Sequence, residues 1–268
     1  MSTKTNAKNN SHGGNNSRRY RHKKNAGFVT SLSPEAQINK VMADIANLNK
    51  GYNLKYWSAS ARKELAVHIT AKLEVLHKGK PVDVTVPKLA FLAASPAFQV
   101  HMQGHPEDVH VRFIHQDVFK EAIEAIAKWL RKICSEKEYT EIPIPQNLEK
   151  ALELRQTAQT LDMAQYVAHF TERYINGLGA RYPGIDEIKL VVKLTRDRFE
   201  TDPMLEALAN CLSFLVVYHE VDEDTEMAYA NLLADKKFDR LLNAVNGDKV
   251  QAIEGHGWEV VYRRELAE

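Results

Sequence analysis

The sequence predicts an α+β fold. Two observations carry this. Residues 67–76 and 81–86 alternate apolar and polar on either side of Lys78-Gly79-Lys80, which reads as a hairpin. From residue 119 onward, apolar residues instead recur at helical spacing almost to residue 245. A third observation bounds the class: hydrophobic residues are 44% and charged residues 26% of 268, which suits folded domains and excludes a mostly disordered chain.

The elements follow in order. Residues 1–27 are rich in Asn, Ser, Lys, Gly and Arg and hold seven basic side chains with no Asp or Glu. Such a segment buries too little apolar surface to offset its ordering entropy, so a disordered basic tail is expected. Its densest part is RRYRHKK at 18–24, with Arg18, Arg19, Arg21, Lys23 and Lys24. It suits a nuclear import signal, a phosphate-contacting arm or a solubilising tail. The other 241 residues carry 29 basic and 35 acidic side chains, so the body is acidic.

Residues 28–62 form an N-terminal helix and an aromatic linker. Ser33 is placed as an N-cap and Pro34 as the first helical residue, with Ile38, Val41, Ile45 and Leu48 on one face. Gly51 ends that helix, and Tyr52, Tyr56 and Trp57 pack on the body. In residues 63–180, Ile69, Ala71, Leu73 and Val75 mark the first strand, and Val82, Val84 and Val86 the second. One short helix is expected over 88–98 with Leu89, Leu92 and Phe98, then a third strand over 109–114. Phe119, Ile123, Ile126, Leu130 and Ile133 define a long amphipathic helix with Trp129 on its flank. Residues 139–145 are extended, because Pro143 and Pro145 disfavour helix before them. Leu148, Leu152 and Leu161 lie on a further helix, and Met163, Val167, Phe170 and Tyr174 on another.

Residues 181–268 form a helical extension. Ile188, Val191, Val192, Thr195 and Phe199 give one stripe. Leu205, Leu208, Leu212, Leu215 and Val216 are apolar nearly all round, which predicts a central buried helix opened by Pro203. The acidic residues from Glu220 to Glu226 read as a solvated connection to a third helix carrying Leu233, Phe238, Leu241, Leu242 and Val245. Asn246-Gly247 reads as its stop, and 258–263 (WEVVYR) as a terminal strand or extended tail.

The order of hairpin, short helix, strand, long helix, extended segment and helix pair resembles the BTB/POZ family, in its divergent fungal form. The run FLAASPAF at 91–98 is similar to that family's Leu-x-x-x-Ser-Pro-x-Phe pattern. Trp129-Leu130 and LELRQTAQTLDMAQYV at 152–167 resemble its later helices. The resemblance covers roughly 65–175. It implies a three-layer core of a small sheet with flanking helices, followed by a helical extension. It also implies an adaptor or scaffold without enzymatic activity, whose partners are a second copy, a cullin or nuclear transcription and chromatin factors. Two positions depart from the family: no Asp stands at 67–76, and Pro87 occupies the place of a His. These shape a dimer groove in the family, so the departures count against that dimer. Partner-binding side chains are expected at Val109, Val111, Phe113, Phe119 and Trp129, on 109–119 and the helices after it.

Catalytic and cofactor signals are absent from the motifs. His101 and His105 have the i, i+4 spacing that zinc uses on a helix, but Gly104 and Pro106 break the helix there, so they are weak metal candidates. His219-Glu220 lacks the second His of a metalloprotease helix, since 223 is Glu. Cys134 and Cys211 read as small core residues, and two cysteines point to a reducing compartment. No catalytic residue, metal or cofactor is expected. The expected location is nuclear, or nuclear and cytoplasmic, with no membrane association and nucleic acid contact through the tail alone.

Overall fold

A computed structural model of the chain describes residues 32–48, 52–66, 69–195, 202–217 and 220–253. Arg18, Arg19, Arg21, Lys23 and Lys24 of the basic tail lie outside these residues, as do Gly51, Phe199, His219 and 258–263. Helix α1 spans Pro34–Asn47, and the Ser33 side chain caps it by accepting a hydrogen bond from the Ala36 N–H. Ile38, Val41 and Ile45 are buried in the same apolar cluster as the sheet, so this N-terminal helix belongs to the body. A 3-10 turn at Leu54–Tyr56 follows, then α2, Ala59–Leu65, which the sequence reading missed. The Tyr166 hydroxyl holds the turn by accepting from the Leu54 N–H and donating to the Tyr52 carbonyl.

Strands β1, Thr70–His77, and β2, Lys80–Pro87, pair antiparallel from Thr70↔Pro87 to His77↔Lys80. Their two-residue turn places Lys78 at φ 51° and Gly79 at φ 77°, the double positive φ that matches the twist of a hairpin. Ala71, Leu73, Val75, Val84 and Val86 face the core. Lys72, Glu74 and Asp83 share the other face by strand alternation.

The single helix expected over 88–98 is two helices, α3, Lys88–Ala94, and α4, Pro96–Gly104. Pro96 has no N–H to continue α3 and holds Ser95 extended, at φ −120° and ψ 104°. Ser95 then caps α4 by accepting from the Phe98 N–H, while its hydroxyl donates to the Leu161 carbonyl. Every residue of α3 is buried. Strand β3, His110–Arg112, lies parallel to β1, giving the mixed order β2-β1-β3. It is shorter than the expected 109–114, because the chain turns away through bonds from His115 N–H to Phe113 and from Val118 N–H to His115.

Helix α5, Lys120–Ser135, buries Ile123, Ile126, Leu130 and Ile133 against the sheet side. The strap at 139–145 has no regular structure, as expected. Helix α6 is Leu148–Thr160 and α7 is Ala168–Leu178. Between them Asp162 takes a positive φ and a 3-10 turn forms at Ala164–Tyr166, so Met163 and Val167 are buried in a connection rather than on a helix.

A second apolar cluster is built by α8, Ile185–Leu194, α9, Pro203–Val217, α10, Glu223–Leu233, and α11, Asp239–Ile253. Leu205, Leu208 and Leu212 are fully or almost fully buried, as expected for a central helix. Two expectations are corrected here. The acidic run opens α10: the Asp222 carboxylate accepts from the Thr225 N–H, and Glu223, Asp224 and Glu226 favour the positive end of the helix dipole. Asn246-Gly247 lies within α11 and does not end it. Leu233 therefore closes α10, while Leu241 and Val245 belong to α11. Eleven α-helices and a three-stranded mixed sheet make the described residues α+β.

Candidate functional site

The five side chains expected to meet a partner divide by burial. Val109 is 64% exposed. Phe113 and Phe119 are half-buried against the core. Val111 is on the core face of β3, opposite Leu73, and Trp129 is buried, so both are corrected to interior residues. Trp129 is covered because the strap folds over it: its indole N–H donates to the Thr140 carbonyl at 2.7 Å, and the rings of Tyr139 and Tyr166 meet it edge-on.

Two exposed apolar residues were missed, Val100 at 74% and Ile114 at 39%. Val100 is legible once α4 is known to begin at Pro96. Phe98 and Met102 are then the inward pair at i, i+4, and Val100 falls between them on the outside. Ile114 follows β3 where the strand ends. Val109 and Ile114 thus flank an edge strand with no further strand beyond it among the described residues, while Val100 is exposed on the outer side of α4.

The segment between α4 and β3 is held from beneath. The Lys88 ammonium, buried, donates to the Pro106 carbonyl at 2.7 Å and the Asp108 carbonyl at 2.9 Å. Burial lowers its pKa, against the opposing pull of Glu107 and Asp108. His101 reaches Asp108 at 3.1 Å, and its ring lies 5.4 Å from that of His105. Neither histidine joins a three-ligand group. Among the described residues that group is Glu74, Asp83 and His110, whose ligand atoms lie within 4.8 Å of one another. It forms because Glu74 and Asp83 are cross-strand partners and parallel β3 brings His110 alongside. The His110 Nε2 is 2.8 Å from Asp83, and that hydrogen bond is the main cause lowering the Asp83 pKa. Lys72 lies 3.5 Å from Asp83 and Arg112 2.9 Å from Glu74, so protein cations already face both carboxylates.

Cys134 and Cys211 are buried, and burial pushes both thiols up to about 12. Thiols held protonated are poor nucleophiles. Tyr52 and Tyr56 are exposed beside buried Trp57, so the aromatic linker is half core and half surface. Comparison of the chain with family models, with curated proteins and with solved structures found no match.

Proposed function

We propose that the chain is a non-enzymatic protein–protein interaction module, a BTB/POZ-like adaptor or scaffold acting in a nuclear assembly. The observation that carries this reading is the pair of exposed apolar side chains, Val109 and Ile114, at the two ends of edge strand β3. Apolar side chains beside an unpaired strand edge suit a partner that adds a strand or lays an apolar face there. No helix among the described residues is long and apolar enough to cross a membrane.

The test is affinity purification of the tagged full-length chain from its native cells, with identification of the proteins held above an untagged control. A cullin among them supports the ligase-adaptor form. Nuclear factors without a cullin support the scaffold form. A bait that holds nothing and is monomeric when purified contradicts both.

The +7 charge of residues 1–27 supports a second role, nucleic acid contact through the tail. That role predicts binding that weakens steeply with salt and disappears when residues 1–27 are removed. Binding that survives the truncation would refute it.

A further inference from the structure

A cleft of about 570 Å³ opens where the two apolar clusters meet. Its walls are the end of the strap after α5, the start of α6, the last turns of α7 and the first turn of α8. That volume falls within the ~300–1,000 Å³ of small-molecule sites, which favour junctions of this kind. One wall is apolar, with Ile144, Leu148 and Ala151. The other is polar, with Arg173, Tyr174, Arg181 and Glu187.

Three features of this cleft are unexplained by the fold. Tyr174 is 7% exposed, and its hydroxyl makes no hydrogen bond of normal geometry, the nearby Glu187 carboxylate being held by Arg181. Burial, with the Glu187 carboxylate beside it, raises its pKa, so the hydroxyl keeps a proton to donate. A buried hydroxyl without a partner is unfavourable unless something else supplies one. Second, the cleft has an excess of positive charge. Arg181 is tied to Glu187 by both guanidinium nitrogens of its fork, which neutralises one pair. Arg173 is exposed and has no carboxylate partner among the described residues. Third, Gly177 stands in α7 with no positive φ, and a Cβ there would meet nothing within 4 Å. Neither backbone nor packing requires glycine, which is less favourable than alanine in a helix. The missing side chain leaves the cleft open.

We propose that this cleft binds a small organic anion, a carboxylate or phosphate ester with an apolar body. The anionic head takes the Tyr174 hydroxyl and the Arg173 guanidinium. The apolar body lies on Ile144, Leu148 and Ala151. Arg181, held by Glu187, is a positioning residue that closes the polar wall. The proposal is independent of the interaction surface at β3.

The test uses the ¹⁵N-labelled full-length chain titrated with 1-naphthoate, 1-naphthyl phosphate and the neutral 1-naphthalenemethanol. Saturable amide shifts at Ala151, Arg173 and Gly177 are expected with at least one anion, which also tells carboxylate from phosphate. The neutral alcohol is expected to bind about tenfold more weakly, the loss of one charge-assisted hydrogen bond. Gly177→Leu is expected to abolish binding with the melting temperature retained. Tyr174→Phe is expected to weaken binding while raising the melting temperature, an opposition that a merely structural tyrosine would not produce. Absence of saturable shifts with both anions, equal binding of the alcohol, or undiminished binding by Gly177→Leu would overturn the proposal.

Discussion

The α+β body and the helical C-terminal core solve the same problem by different means. In the body, buried polar side chains reach across long stretches of chain to satisfy backbone carbonyls. Arg62 donates to Trp57, Ile133 and Lys137, Lys88 to Pro106 and Asp108, and Ser95 to Leu161. The helical core needs fewer such struts, because helix backbones bond internally and apolar stripes on α8, α9 and α11 fill the space. Irregular backbone creates unpaired carbonyls, and each must find a donor when buried. The clamp between the regions is ionic. Arg155 of α6 meets Asp202 in a buried two-bond pair at 2.7 and 3.0 Å, and Asp202 also accepts from the Met204 N–H at the start of α9.

Each region carries one buried cysteine, Cys134 in α5 and Cys211 in α9, so thiol chemistry reads them separately. With both thiols pushed up to about 12 from 9.0, a disulfide reagent at pH 8 should react about a thousandfold more slowly with the native chain than with the unfolded one. Because the folded values are raised, the stability these thiols contribute is full below about pH 9 and is lost as pH rises from 9 towards 12. Helix α6 places Leu154 in the first cluster and Leu152 in the second, so both thiols should become reactive at one urea midpoint. Two midpoints would show that the regions open independently.

The next effect concerns the clamp. Asp202→Ala leaves Arg155 buried without its carboxylate and should cost about 3–5 kcal/mol by urea unfolding, whereas Arg155→Met with Asp202→Leu should lose only about 1 kcal/mol, the cap that Asp202 gives to the Met204 N–H. A small loss in the single variant would mean that the regions hold together without the pair. Ser95→Ala removes both the α4 cap and the bond to Leu161, with an expected loss of about 2 kcal/mol that lowers the common urea midpoint. An unchanged unfolding midpoint would remove Ser95 from the set of struts. The smallest effect is Gly79→Ala in the hairpin, about 1 kcal/mol for alanine at a positive φ.

The same contrast explains what could be read from sequence. The hairpin was legible because alternation and Lys78-Gly79-Lys80 agree, and α1 was legible because Ser33-Pro34 is a cap followed by a first helical proline. Ser95-Pro96 is the same pair, yet the break between α3 and α4 was hidden by apolar residues on both sides. Helix α10 was hidden by its charge, since acidic residues at a helix start resemble a solvated loop. Trp129 reads as a flank position on an isolated helix, and the returning strap together with the Tyr166 ring buries it. Arg155 and Asp202 lie 47 residues apart with no periodicity to link them. At the candidate surface, the structure shows Val109 exposed, while the exposure of Val100 could be read only once the start of α4 was fixed.

The central claim is that the face around β3 binds other proteins. Its most direct measurement compares proteins held by the tagged wild-type chain with those held by a Val109→Asp, Ile114→Asp variant of equal melting temperature. Specific partners held by the wild type and lost by the variant are the predicted result. The same partners held in equal amounts by both chains would contradict the account.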